Sequence, residues 1–201
     1  MKQARVASWS DVDGREAALV QRCAAAEQLA CTELVAEHQR MVVQLAMNLL
    51  SDRDEALDLS QEVFLRVFRT IHRFRGQSSL RTWIYRIAVN QARNRHRFWR
   101  RRHRQDQVSL DQHIATHGEF LSSGDSTPDR MLAQKELGER LQAALNHLPF
   151  DQRTAIVLRE IDGLSYDEIA FSLGVAVGTI KSRLTRARQA LRFELREVRT
   201  A

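Results

Sequence analysis

Apolar residues recur at helical spacing along most of this chain, and only two prolines interrupt it. A period of about 3.6 residues places apolar side chains on one face of a helix, whereas strand-type alternation is hard to find. The repeat runs through Leu19 to Ala30, Leu34 to Leu50, Ala56 to Ile71 and Leu80 to about Trp99, and it resumes from Met131 to Leu148. We therefore predict an all-α fold with four helices in its first half. We expect Asp52 to cap the third helix and Ser78 or Ser79 to cap the fourth.

The helical pattern fails between Gln105 and Asp129, where the sequence is polar, acidic and rich in turn-forming residues. Such a composition is typical of a linker. We predict two small helical domains, residues 1–104 and 131–201, joined by a flexible linker over residues 105–130.

Several features that would indicate other classes of protein are missing from the sequence. The first residues contain no apolar segment of signal-peptide length, and no run approaches a membrane span, so we expect a cytoplasmic protein. Cys23 and Cys31 lack metal-ligand or CxxC spacing, and we interpret them as buried small residues rather than a redox switch. His113 and His117 have the spacing of two metal ligands, but no further ligands surround them. We expect no metal and no other cofactor.

Positive charge and aromatic rings are concentrated between Phe64 and Arg104. This segment carries 13 arginines, no aspartate or glutamate, and seven of the 13 aromatic residues. Cations neutralise phosphates, and aromatic faces stack on unpaired bases. The segment therefore has the composition of a surface that binds DNA or RNA, including single strands. Any one ring could instead belong to the core, but ordinary surface helices mix both signs of charge.

The sharpest motif lies between Leu164 and Gln189 and predicts a helix-turn-helix. Ser165 followed by Glu168 forms a capping box that starts a short helix, and Gly174 supplies the positive φ of a tight turn. The next helix turns its apolar residues inward, which leaves small, hydroxyl-bearing and basic residues outside. This outer face suits entry into a major groove, although an ordinary helical hairpin with a basic face is the alternative.

The residues on this outer face divide by what they can reach. Lys181 and Arg186 can read guanine edges, while Thr179, Arg183 and Arg188 are better placed for phosphates. Ser182 and Thr185 complete the predicted recognition face.

The segment from Leu164 to Gln189 closely resembles the DNA-reading end of the extracytoplasmic-function sigma factors of bacterial RNA polymerase, in the sigma-70 family. Two upstream segments agree independently. Residues 58–77 resemble the polymerase-binding helix of that family, and residues 79–95 resemble its promoter-opening helix. The resemblance implies a transcription initiation factor that binds core RNA polymerase, reads −35 and −10 promoter elements and is not itself an enzyme.

The resemblance also implies roles for particular residues. A helix over about Asp52 to Arg69 would dock on the clamp helices of the largest polymerase subunit, and the second domain would touch the flap. The implied clamp contacts are Asp58, Gln61 and Glu62. The loop from Phe74 to Leu80 would receive a flipped-out base of the −10 element. The implied −10 residues are Phe74, Arg75, Ser78, Ser79, Trp83, Asn90, Asn94 and Arg97.

Trp83 allows two interpretations, since it either forms part of the melting surface or packs beneath the loop. The basic tail from Arg97 to Arg104 would contact duplex phosphates. The chain departs from the family pattern at Leu57, Ala176 and Thr185. Leu57 stands beside the implied clamp contacts where the family more often has an acid, and Ala176 replaces a proline that would stiffen the start of the recognition helix. Thr185 is smaller than the usual residue, so the resemblance does not carry over a −35 sequence preference. An anti-sigma protein that holds the factor inactive is expected.

Two other classes of function are weaker. A stand-alone helix-turn-helix regulator would need a dimerisation surface or an effector domain, and the arginine-aromatic segment suits single strands instead. An enzyme such as a recombinase would need catalytic groups. Residues 1–130 offer no nucleophile with its base, no paired carboxylates for a metal and no glycine-rich phosphate loop.

Overall fold

The structure is a computed structural model that describes residues 14–105 and 128–197, with side chains described for residues 14–101 and 135–195. Within these segments every regular element is helical, which confirms the all-α prediction. The helices are α1 (Gly14–Ala24), α2 (Gln28–Leu50), α3 (Arg53–Thr70), α4 (Leu80–Gln105), α5 (Pro128–His147), α6 (Phe150–Ile156), α7 (Tyr166–Leu173) and α8 (Val177–Glu197). A 3-10 turn (Ile71–Arg73) follows α3, and a π-helical turn (Val157–Ile161) follows α6. Most of the predicted linker, His113 and His117 lie outside the described residues.

The first two helices divide at a different place from the one predicted. The apolar repeat suggested one helix from Leu19 to Ala30, but α1 ends at Ala24 and Ala30 lies in α2. Ala26 adopts φ 60°, and Arg22 Nη2 reaches across the corner to Glu27 Oε1 at 2.7 Å. The prediction was wrong because no glycine or proline marks this corner in the sequence.

Side-chain caps fix the starts of α3 and α4, where the first N–H groups have no partner within the helix. Asp52 accepts a hydrogen bond from the N–H of Glu55 at 2.9 Å, as predicted. Of the two serines proposed for α4, Ser79 is the cap, because its Oγ accepts from the N–H of Thr82 at 3.2 Å. The carboxylate of Glu16, in α1, accepts from the N–H of Leu80 at 2.5 Å. Helix α1 therefore helps to position the start of α4.

The first domain packs α2, α3 and α4 around a core that includes Leu34, Leu59 and Ile84, each almost fully buried. Cys23 is buried and Cys31 half-buried at the edge of this core, as the sequence predicted. Burial, together with the neighbouring Cys31 thiol, raises the pKa of Cys23 to about 12. Such a thiol is a poor nucleophile at neutral pH.

The second domain contains the predicted helix-turn-helix, formed by α7 and α8. The capping box at Ser165 and Glu168 is present, and Gly174 ends α7 at φ 65°. Ile180 and Leu184 are fully buried on the inner side of α8. The two domains also pack directly against each other, α4 against α7 and the end of α2 against α5 and α6, which the sequence did not predict.

Candidate nucleic-acid interface

The outer side of α8 is an exposed face without acidic neighbours along the helix. Exposed here are Gly178, Thr179, Lys181, Ser182, Thr185 and Arg186. The sequence has no aspartate or glutamate from Val177 to Phe193. The hydroxyls of Ser182 and Thr185 donate to backbone carbonyls one turn back, at 2.9 and 3.0 Å, so their oxygens remain able to accept. The structure thus brings the predicted base-reading residues onto one accessible surface.

Two arginines predicted to contact phosphate are paired within the second domain. Arg183 Nη2 lies 2.7 Å from Asp151 Oδ2, and its side chain is 20% exposed. Arg188 Nη2 lies 2.6 Å from Glu160 Oε1. These ion pairs fasten α8 to α6 and to the π-helical turn that follows it. A phosphate would have to compete with the carboxylates for both guanidinium groups.

The loop between α3 and α4 is supported from beneath by two aromatic rings. Phe74 is buried, and its ring centroid lies 5.4 Å from that of Trp83 with the planes tilted by 55°. Ser78 is buried as well, whereas Arg75 and Ser79 are exposed. This geometry favours the interpretation in which Trp83 holds the shape of the loop. Phe74 has the same supporting position here and presents no open face for a base.

Helix α4 continues this surface with a row of exposed polar side chains. Asn90, Asn94 and Arg97 are exposed and follow one another at helical spacing. Arg100 and Arg101 extend the basic surface, while the side chains of Arg102 and Arg104 lie outside the described residues. The exposed amides and guanidinium groups can hydrogen-bond bases and neutralise phosphates.

Acidic α3 partly neutralises this basic helix. Arg95 binds Glu62, with Nη2 and Oε1 2.6 Å apart, and also binds Glu55. Glu62, an implied clamp contact, is therefore already engaged with α4. A cleft of about 370 Å³ lies between the two helices. It is lined by Glu55, Glu62, Gln91, Asn94, Arg95, Phe98 and Trp99.

The outward face of α3 carries a feature that the sequence reasoning missed. Asp58, Gln61 and Glu62 are exposed as expected. Leu57 and Leu65, which flank Gln61 one turn away on each side, are 38% and 55% exposed. Two exposed leucines on this side of α3 are available for contact with a protein partner. The sequence contained a signal for this feature, because Leu65 does not lie on the helical face that carries the buried residues of α3.

No metal site or membrane span belongs to the part of the chain that the structure describes. In residues 14–105 and 128–197 no group of three His, Cys, Asp or Glu side chains could hold a metal ion. Nor is any described helix long and apolar enough to cross a membrane.

Comparison with known protein families matches each half of the chain to its own family model. Residues 34–105 match the family described as sigma-70 region 2, and residues 138–191 match sigma-70 region 4. The RNA polymerase sigma-H factor of Pseudomonas aeruginosa is 35% identical over 173 residues, which cover 86% of this chain and 90% of the relative. The ECF RNA polymerase sigma-E factor of Escherichia coli K12 is 38% identical over 178 residues, with coverage of 86% and 90%.

Two solved structures have a similar fold. The sigma factor RpoE in complex with the anti-sigma factor NepR, from Bartonella quintana, has a TM-score of 0.66 and 28% identity, covering 82% of this chain and 96% of that one. CnrH in complex with the cytosolic domain of CnrY has a TM-score of 0.66 and 26% identity, covering 90% and 97%.

This chain belongs to the extracytoplasmic-function group of the sigma-70 family. It is a promoter-specific transcription initiation factor, as the resemblance implied, and the stand-alone regulator is not favoured.

Proposed function

We propose that the chain reads the −35 element with α8 and the −10 element with the α3–α4 loop and the exposed row on α4. The observation that carries this proposal is the pair of basic, exposed faces, one in each domain. Residues 1–104 would bind polymerase and open the −10 region, residues 105–130 would link the domains, and residues 131–201 would read the −35 element. The factor supplies binding energy and the polymerase supplies the chemistry, so the chain acts as a binding protein in the cytoplasm rather than as an enzyme.

At the −35 element, Lys181 and Arg186 are assigned to base edges in the major groove. Ser182 and Thr185 add hydroxyl contacts, and Thr179 lies at the start of the helix, where its hydroxyl and the helix N-terminus favour phosphate. Arg188 and Arg183 would contact phosphate only by exchanging their carboxylate partners. The ion pairs of these two arginines hold α8 in its orientation within the second domain.

At the −10 element, the exposed side chains Arg75, Ser79, Asn90, Asn94 and Arg97 are assigned to the unpaired strand. Phe74, Ser78 and Trp83 are assigned to shaping the loop that receives a flipped base. Stacking of an extruded base on an aromatic ring and its hydrogen bonds to fixed polar groups together contribute about 1–3 kcal/mol per base, which is comparable to the loss of one base step. Opening can thus proceed without ATP.

Polymerase binding is assigned to the outward face of α3. Leu57 and Leu65 would supply apolar contact, and Asp58, Gln61 and Glu62 polar contact, with the clamp helices. The exposed Leu137 and Leu141 of α5 suit the flap. An anti-sigma partner is proposed because the sigma factor RpoE of Bartonella quintana, which has a similar fold, was solved bound to the anti-sigma factor NepR. A role in stress response is proposed from membership of the extracytoplasmic-function group alone.

Arg186→Ala tests whether α8 reads sequence. Initiation by core polymerase should fall by about 5- to 150-fold on a promoter with its own −35 element, the equivalent of about 1–3 kcal/mol for a good base contact. The loss should be much smaller on the same promoter with a scrambled −35 element. Arg192→Ala, at another exposed position of the same helix, is the matched control.

Equal losses on both promoters would reduce Arg186 to a phosphate contact. Tight binding of the chain alone to palindromic duplexes, with no polymerase-dependent start sites, would favour the stand-alone regulator.

A further inference from the structure

The cleft between α3 and α4 has an exposed aromatic ring in its wall. Phe98, on α4, is 60% exposed, although phenylalanine is among the residues most often buried. It follows Asn94 by one turn, and both side chains line the cleft of about 370 Å³ together with Trp99. This volume lies within the range of about 300–1,000 Å³ that is usual for small-molecule sites. A flat ligand can therefore enter between the helices and stack on Phe98.

An arginine and a glutamate stand side by side in the same cleft. Arg95 Nη2 donates to Glu62 Oε1 at 2.6 Å, and Arg95 Nη1 donates to the carbonyl of Glu55 at 3.0 Å. The side chain of Arg95 is largely buried, so these contacts with α3 fix the position of its guanidinium group. The side chain of Glu62 is 51% exposed, and a carboxylate can accept several hydrogen bonds. The cleft thus presents a fixed donor next to an accessible acceptor.

This order of donor and acceptor is complementary to the edge of one nucleobase. Guanine has the acceptor O6 beside the donors N1–H and N2–H₂, so Arg95 can donate to O6 while Glu62 accepts from both donors. Adenine has an acceptor at N1, which would lie against the carboxylate. Cytosine and thymine each have one donor group on this edge and less ring area for stacking on Phe98. The cleft therefore favours guanine.

Helix α4 also supplies cations for a phosphate. Arg97, Arg100 and Arg101 are exposed on the same turns of α4 as Phe98. The sequence has no aspartate or glutamate from Phe64 to Arg104. An exposed guanidinium group binds phosphate, and it offsets the repulsion between a nucleotide and the carboxylates of α3. The ligand that matches this chemistry is therefore a base with its phosphate.

We propose that the cleft between α3 and α4 binds one unpaired guanine with its phosphate, with Phe98 stacked on the base and Arg95 and Glu62 reading its edge. The guanine can belong to an opened promoter strand or to a free nucleotide, because both have the same chemistry. For the promoter strand, the inference rests on the function proposed above. The site is separate from the loop between α3 and α4, since none of residues 74–80 lines the cleft.

Titration of the full chain with mononucleotides tests the site without polymerase. Guanosine 5′-monophosphate should bind about 3- to 10-fold more tightly than inosine 5′-monophosphate, which lacks only the amino group at C2. Adenosine 5′-monophosphate should bind at least about tenfold more weakly than guanosine 5′-monophosphate. Isothermal titration calorimetry measures the three affinities. Equal affinities, or no binding of any of the three, would overturn the proposal.

Removal of the exposed ring tests the stacking. Phe98→Ala should weaken the binding of guanosine 5′-monophosphate about 5- to 150-fold, the range for one base stacked on an aromatic ring. Phe193→Ala is the matched control, because Phe193 is 64% exposed on α8. Both rings are largely exposed, so neither substitution should unfold the protein. If Phe98→Ala binds the nucleotide as tightly as the wild-type chain, the cleft is not the site.

A neutral side chain at position 62 tests the reading of the base edge. Glu62→Gln should bring the affinities for guanosine and adenosine 5′-monophosphate to within about threefold of each other. Glu139→Gln, at an exposed acid of α5, should leave the preference for guanine unchanged. Polymerase is absent from the titration, so the effect is separate from the clamp contact proposed for Glu62. An undiminished preference in Glu62→Gln would exclude this residue as the reader of guanine.

Short oligonucleotides show where the guanine comes from. An oligothymidylate with one central deoxyguanosine should bind the full chain at least about tenfold more tightly than guanosine 5′-monophosphate, because further phosphates meet the exposed arginines of α4. It should also bind more tightly than the same oligonucleotide without guanine. Equal affinity of the oligonucleotide and the mononucleotide would support the site for a free nucleotide instead. Normal initiation on a matched promoter, with no guanine preference in any titration, would overturn the site and leave the proposed function standing.

Discussion

The pKa of Asp162 depends on the packing of the second domain against α4 of the first domain. Its Oδ2 is buried without a hydrogen-bond partner, and burial raises the pKa of Asp162 to about 6. The hydroxyl of Tyr85 and the charge of Arg81, both on α4, oppose this shift without cancelling it. Above pH 6 the folded protein therefore holds a charge that the unfolded chain would solvate better.

Replacing Asp162 by asparagine should stabilise the protein at high pH. An acid with a raised folded-state pKa costs stability above that pKa, and the cost disappears as the pH falls toward the unfolded value of 3.8. Asp162→Asn should therefore gain about 1–3 kcal/mol in free energy of unfolding at pH 8, with the gain shrinking between pH 6 and pH 4. Urea denaturation of both proteins at the three pH values measures it. Glu139→Gln, at an exposed acid, is the control, and a gain independent of pH would contradict the explanation.

Helix α1 supports the start of α4, a role that its sequence does not predict. It packs against the 3-10 turn that precedes the loop between α3 and α4, and Glu16 caps α4 by accepting a hydrogen bond from the N–H of Leu80. Glu16→Ala should loosen the loop by removing a cap that contributes about 1 kcal/mol. Permanganate reactivity of the −10 thymines in the polymerase–promoter complex should fall, while binding to a −35 duplex is unchanged. Arg15→Gln, which removes the ion pair to Glu37 on α2, is the matched control. Reactivity equal to wild type would exclude this role for α1.

Elements with local signals were predicted well from the sequence. The capping box at Ser165, the turn at Gly174 and the cap at Asp52 each involve residues within a few positions of one another, and each is present. The corner at Ala26 was missed because alanine rarely adopts a positive φ and an ion pair stabilises it there. The ion pair of Arg183 was missed because Asp151 lies 32 positions away and nothing in α8 indicates it.

At the scale of the whole molecule, the sequence predicted two domains and a linker but not the packing of one domain against the other. The contacts between the domains join residues far apart in the chain, such as Arg153 and Leu49, separated by 104 positions. A carbonyl at a helix end has the same sequence signature whether it faces water or a guanidinium group. The arrangement of the domains thus depends on shape and on long-range hydrogen bonds that a helical repeat does not encode.

The uneven charge of the molecule predicts how its promoter affinity depends on salt. Of the 13 arginines between Phe64 and Arg104, Arg95 is neutralised by two glutamates, whereas Arg97, Arg100 and Arg101 are exposed on the last turns of α4. Each phosphate contact releases counterions and adds about 0.9 to the slope of log affinity against log salt. Replacing the three exposed arginines by alanine should reduce that slope by about 2–3 and weaken all promoters alike. Titrations of the polymerase–factor complex on promoter DNA at several potassium chloride concentrations measure it, with Arg140→Ala as control. If the slope stays the same, the basic end of α4 does not contact the duplex, and promoter affinity must come from the loop and from α8.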